Sequence, residues 1–121
     1  MEAGMQGEQV YWVFTVTVDQ MDKFMSLISK LVAATEKEPG ALQFEFNIGE
    51  DQKTVDIFER YTDSKAALLH QAKSFAPNSE EFFTAAKLSR WVIYGAVSDE
   101  FKKANAEFRP IYMTPCDGFV R

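Results

Sequence analysis

His70 is the only histidine in this 121-residue chain, and imidazole is the side chain best matched to moving a proton near neutral pH. Half-buried among apolar neighbours, it could take the proton of a phenolic or enolic hydroxyl as a general base. The competing reading is a core histidine satisfied by a backbone carbonyl or by Glu59. Residue type alone favours the core. Glu59 is the second candidate. It alternates with Ile57 and Tyr61 along one strand face, where a carboxylate is costly to desolvate without a partner. That partner is either His70, which Glu59 would then orient, or a basic residue on a neighbouring strand such as Arg90.

Eleven Phe, four Tyr and two Trp make the chain 14% aromatic, more than a core of this size requires. Such a surplus goes to a Phe-rich core, an interface or a ligand pocket. Trp12, Phe44, Tyr61, Trp91 and Tyr94 fall in segments that read as strands and could form flat walls against an aromatic ligand. Core or interface is the competing fate for each. Asn47 could hydrogen-bond a substrate oxygen, or simply begin the turn after its strand.

Other chemistry finds little support. Cys116 is the single cysteine, with no second histidine to activate it as a nucleophile. One His and one Cys offer no metal-ligand spacing, and no Gly-rich strand-to-helix turn suggests a dinucleotide. Thirteen basic against eighteen acidic residues give a net charge of −5, with no basic stripe for a phosphate backbone, so nucleic acid is not expected as a partner. A lone cysteine fits a reducing compartment. The start, residues 1–9, has no apolar run of the signal-peptide kind, and no apolar run approaches membrane-spanning length. The expectation is a cytoplasmic protein.

The elements that must position these residues follow from hydrophobic periodicity. Val10 to Val18 (VYWVFTVTV) is β-branched and aromatic on both alternating faces, as in a strand covered on two sides. Asp19 reads as a helix cap. Met21, Phe24, Met25, Ile28, Leu31, Val32 and Thr35 form the stripe of a helix lying on a sheet, ended by Pro39-Gly40. Ala41 to Ile48 and Thr54 to Tyr61 read as a strand pair, the second carrying Val55, Ile57, Glu59 and Tyr61 on one face. Asp63 caps a helix to about Ser74, which would turn Ala66, Leu69, His70 and Lys73 to the sheet. Asn78 and Glu81 read as a capping box for a helix to about Leu88. Arg90 to Val97 reads as a fourth strand, Ser98 caps a short helix through Phe108, and the tail from Pro110 reads as irregular or extended.

The order β-α-β-β-α(α)-β predicts an α+β fold, the ferredoxin-like split βαβ with a four-stranded antiparallel sheet and helices on one face. Residues 1–9 form a tail, 10–97 the domain, and 98–121 a C-terminal helix and extension. Helices cover only one sheet face, yet the first and fourth strands are apolar on both. A second copy of the sheet would cover the other face, which predicts a homodimer; the C-terminal segment is the alternative cover.

Glu38-Pro-Gly-Ala-Leu-Gln-Phe-Glu and Phe58-Glu-Arg-Tyr-x-Asp-x-x-Ala-x-x-x-His70 resemble the antibiotic biosynthesis monooxygenase family of the dimeric α/β-barrel group. That family has Pro-Gly before its second strand, an aromatic-Glu-x-aromatic third strand, an Asp, and Ala and His four residues apart on a helix. Ser74 and Phe75 match its following Ser and aromatic more loosely. The resemblance runs over roughly Val10 to Val97. It implies a homodimeric α/β barrel with a pocket between sheet and helices. It also implies oxidation of quinol-like or phenolic small molecules by O₂ without flavin, haem or metal. It tips His70 from core residue to pocket base, and predicts that His70→Ala lowers turnover and leaves the fold intact. Isomerases of small phosphorylated sugars and proteins without known activity are relatives in that group. A proton-shuttling isomerase of a small oxygenated metabolite and a non-catalytic small-molecule-binding dimer are therefore the alternatives. The Asn and Trp pattern of a haem-degrading branch is not recognisable here.

Overall fold

The computed structural model describes residues 9–121. Most of the expected tail at residues 1–9 thus lies outside the described residues. Strand β1 (Val10–Val18) runs through the middle of the sheet, as its apolar composition demands. It pairs antiparallel with β3 (Thr54–Tyr61) on one side and with β4 (Ala86–Gly95) on the other. Strand β2 (Ala41–Ile48) lies beyond β3. The other edge is β5 (Ile111–Met113), parallel to β4 beside Val92 to Tyr94. The sheet is therefore a mixed one of five strands in the order β2-β3-β1-β4-β5, not four antiparallel strands. Three residues following Pro110 are too few to show a period of two, so the extra strand was hidden in the tail.

Helix α1 (Met21–Glu36) and helix α2 (Ser64–His70) lead into a π-helical turn over Gln71–Phe75 and a single 3₁₀ turn. Helix α3 (Ser79–Ala85) follows. These packed elements bury one alternating set of β1, namely Val10, Trp12, Phe14, Val16 and Val18. The other set, Tyr11, Val13, Thr15 and Thr17, is only half-buried. Within one chain, β1 is thus covered on one side. The open face carries Tyr11 stacked on Tyr94 at 5.2 Å, the Arg60 guanidinium 4.4 Å over the Tyr11 ring, and exposed Phe58, Ile111 and Met113.

Several boundaries differ from expectation. Asp19 does not cap α1. Gln20 holds that position without a side-chain bond, while the Asp19 backbone N–H donates to Ala85 O at 2.9 Å. The buried stripe of α1 is Phe24, Leu27, Ile28, Leu31 and Thr35, with Met25 and Val32 exposed. One residue is about 100° of rotation, so Met25 flanks the stripe that Phe24 begins. On α2, Asp63 caps as expected, accepting from Ala66 N at 2.8 Å, but Leu69 and Lys73 face out; Ala67, His70 and Ser74 are the buried set. Asn78 makes no capping box. Its amide donates to Ser74 O, and α3 stops at Ala85. Strand β4 therefore begins at Ala86 and accommodates a pairing shift opposite Thr15 and Val16.

Helix α4 (Asp99–Ala104) begins at the expected Ser98 cap, whose hydroxyl accepts from Phe101 N. It runs into a 3₁₀ turn at Ala106–Phe108. Phe101 is fully buried in the core, so this segment is part of the fold of its own chain.

Candidate functional site

Strand pairing puts Glu59 directly opposite Trp12, on the same face as Ile57 and Tyr61. The cap at Asp63 starts α2 in the phase that lays His70 back over this face. His70 is 2% exposed. Its Nε2 lies 3.6 Å from Glu59 Oε1, an ion-pair distance, and its Nδ1 lies 3.1 Å from Glu38 Oε1. Glu38 comes from the turn between α1 and β2, immediately before Pro39-Gly40, and is itself buried. The Ser74 hydroxyl donates to Glu38 Oε2, brought there by the π-helical turn, a local widening often found at functional sites. An ionised Glu38 can only accept. A carboxylate there suits a proton on Nδ1 and turns Nε2 toward Glu59.

Tyr61 OH donates to Glu59 Oε1 at 2.6 Å. Burial raises the Glu59 pKa above its ordinary 4.5. The nearby His70, the Tyr61 hydrogen bond and the Trp12 indole oppose that rise, and the Glu38 charge adds to it. The Trp12 N–H is close enough to favour the anion yet completes no hydrogen bond. Burial, and then the Glu59 charge, hold the Tyr61 phenol well above its usual value, so it stays a donor.

The Glu38–His70–Glu59 row ends on a cavity of about 540 Å³, within the range of small-molecule sites. Its sheet wall is Trp12, Phe14, Phe44, Phe46, Ile57, Glu59 and Trp91, and the helical layer contributes His70, Phe75, Phe82 and Phe83. Asn105 and Phe108 close it from the C-terminal segment of the same chain. Asn105 and Gln71 there exchange two amide hydrogen bonds of 2.8 and 3.1 Å.

Of the residues singled out in the sequence, His70, Glu59, Trp12, Phe44 and Trp91 meet at this cavity. Tyr61 sits behind Glu59, its ring 5.2 Å from the imidazole, and is not part of the wall. Tyr94 lies on the open face against Tyr11, because parity opposes it to Trp91 and Ile93. Asn47 is exposed opposite Asp56, also away from the cavity. Tyr61, Tyr94 and Asn47 are thus three corrections to the expected ligand contacts. Arg90 is no partner of Glu59; it is exposed beside Thr15. Sequence reasoning missed Glu38, Ser74, Gln71 and Asn105. Glu38 carried a usable signal, an acid fixed against the Pro-Gly turn; the others are polar residues in expected helices, with nothing in the sequence to single them out.

No family model matches the chain, and no curated protein matches it in sequence. Solved structures do match. MupZ from Pseudomonas fluorescens superposes with a TM-score of 0.83 over 94% of this chain and 95% of its own, at 21% identity. SnoaB, a cofactor-independent oxygenase from Streptomyces nogalater, gives 0.65 over 75% of this chain and 95% of its own, at 18% identity. A proposed antibiotic biosynthesis monooxygenase from Nitrosomonas europaea gives 0.64 over 78% and 95%, at 18% identity. The chain has the fold of the antibiotic biosynthesis monooxygenase group. At these identities the likeness is one of architecture, and it agrees with the motifs around Pro39-Gly40, Glu59 and His70. The MupZ superposition spans nearly the whole chain, whereas the other two span about three quarters. No helix among the described residues is long and apolar enough to cross a membrane.

Proposed function

We propose that this chain is a cofactor-independent monooxygenase that oxidises a quinol-like or phenolic small molecule with O₂, acting in the cytoplasm as a homodimer. The observation that carries this reading is the Glu38–His70–Glu59 row ending on an apolar cavity. Glu38 and Ser74 hold the imidazole. The His70–Glu59 pair takes the substrate hydroxyl proton, and the resulting phenolate is electron-rich enough to pass an electron to O₂. Radical and superoxide combine in a new C–O bond, and the peroxide regains the proton from the His70–Glu59 pair. The O–O bond then breaks as the same carbon loses its hydrogen, leaving one oxygen as a carbonyl and the other as water. The aromatic walls keep water from the intermediates.

The fold of SnoaB, itself a cofactor-independent oxygenase, supports the reading by analogy. The open sheet face with Tyr11, Phe58, Tyr94, Ile111 and Met113 supports a second copy as its cover. Oxygen uptake on a panel of hydroquinones tests the activity, with Glu59→Gln and His70→Asn as controls. Sedimentation of the native chain and of Phe58→Glu tests the dimer.

A second reading is favoured by one observation. The raised pKa of Glu59 puts a carboxyl able to carry a proton beside a base, which suits an isomerase that moves a proton between carbon and oxygen. Turnover in the absence of O₂ would select it.

A further inference from the structure

The ionisable side chains that line the cavity are Glu59, His70 and Glu107. Among the described residues no Lys or Arg lines it, and residues 1–8 contain neither type. Lys73, Lys102 and Lys103 stand on the elements that enclose it, yet all three are exposed and outside the lining. The exposed members of the lining, Ala72, Ala76, Ala104 and Glu107, mark the mouth. The charged group at the mouth is therefore a carboxylate.

Inside, the available cation is a protonated His70, and both ring nitrogens already face carboxylates. Nδ1 lies 3.1 Å from Glu38 and Nε2 lies 3.6 Å from Glu59. With Glu38 ionised, a single proton shared by His70 and Glu59 leaves the row one net negative charge wherever that proton sits. Glu59 itself shows what a carboxylate meets on this wall. Burial raises its pKa and the Glu38 charge adds to the rise; His70, Tyr61 and Trp12, which oppose it, are already engaged with Glu59. A ligand carboxylate would face the same burial and both glutamates. Proton transfer from a bound hydroxyl to the His70–Glu59 pair moves charge within the site without changing its total. Entry of an anion adds to that total.

We propose that the cavity selects its ligand by the sign of its charge. It takes aromatic molecules that enter uncharged, with the hydroxyl protonated, and turns away those bearing a carboxylate, sulfonate or phosphate. Glu107 acts at the mouth, and the Glu38–His70–Glu59 row acts inside. The inference rests on the cavity being the small-molecule site of the proposed function, and it narrows the substrate class without depending on the fate of O₂.

Three probes share one hydroxynaphthalene and differ at a single ring position: a neutral carboxamide, the carboxylate of the same shape, and an aminomethyl cation. Each is titrated by calorimetry into the full chain and into Glu107→Lys, which reverses an exposed charge. Trp12 and Trp91 are the two tryptophans of the chain and both line the cavity, so quenching of tryptophan emission reports occupancy there. The expected result is that the carboxamide binds and quenches, and that the carboxylate binds at least about tenfold more weakly than either other probe. Glu107→Lys then improves carboxylate binding roughly threefold to tenfold at low salt, less at high salt, and leaves the carboxamide unchanged. Equal weakening of cation and anion would show that the cavity rejects charge of either sign, and would overturn the proposal. So would a carboxylate that binds as tightly as the carboxamide, a Glu107→Lys effect shared by all three probes, or no binding of any probe. Hydroquinone oxidation together with tight carboxylate binding would remove this inference and leave the monooxygenase reading standing. Discrimination by charge sign with no O₂ uptake on any hydroquinone would do the reverse.

Discussion

His70 Nδ1 and Glu38 Oε1, 32 residues apart in the chain, lie 3.1 Å from each other inside the protein. In the proposed reaction this contact gives Glu38 a positioning role. Glu38→Gln keeps the shape and removes the charge that suits a proton on Nδ1. It is expected to lower kcat by on the order of 10²-fold with little change in KM, measured as initial rates of oxygen uptake. A matching fall in binding and no change in kcat would show that Glu38 acts only through packing.

His70→Ala is a poor probe of mechanism. It would leave Glu38 and Glu59, 8% and 7% exposed, without the imidazole between them, and stranding buried charge costs about 3–5 kcal/mol. The expected outcome is a lowered melting temperature together with lost activity, contrary to the expectation of an intact fold. His70→Asn, which retains a donor, is expected to lose turnover by roughly 10²–10⁴ with a smaller thermal penalty. Calorimetry of the two variants decides between these outcomes.

Burial raises the Glu59 pKa in the folded protein above its ordinary 4.5. The native state then holds a proton that the unfolded chain has released, so stability falls as pH rises from that value through the folded pKa. Below it both states are protonated and no penalty arises. Glu59→Gln is expected to flatten this part of the melting-temperature profile. An unchanged slope in the variant would assign the pH dependence to other groups.

Asp51 shows the opposite sign. Hydrogen bonds from the Thr54 hydroxyl and from the Thr54 and Lys53 backbone N–H groups hold its pKa at about 2, below the ordinary 3.8. Its support of the β2–β3 hairpin is present above 3.8 and is lost as pH falls toward about 2. Amide exchange at Thr54, corrected for intrinsic rates, is expected to accelerate across that window, and to be fast throughout in Asp51→Ala.

Gly40 links the fold to the site. A Cβ there would stand 2.6 Å from the Ala66 Cβ on α2, the helix that carries His70. Gly40→Ala is expected to cost about 1–3 kcal/mol through overpacking and to weaken the His70–Glu59 contact, read by thermal melting and activity together.

Much of this arrangement was legible in the residues. Alternation placed Glu59 with Ile57 and Tyr61, and the Asp63 cap set the phase that buries His70. The illegible parts have local causes. Nothing in Gln71–Phe75 announces a π-helical turn, so the arrival of Ser74 at Glu38 could not be anticipated. Tyr94 and Trp91 are equally strand-like, and only pairing with β1 tells which face each takes. Asn105 ends a short helix, and its hydrogen-bond partner, Gln71, lies 34 residues earlier. Contacts of that range leave no trace in periodicity.

Asn105 and Phe108 close the cavity of the chain that carries them, and Glu38, Glu59 and His70 come from that same chain. In the proposed homodimer each protomer would carry these residues itself. Hybrids of two differently crippled chains would then gain no repaired centre, whereas one sound copy beside a dead one would keep its own output.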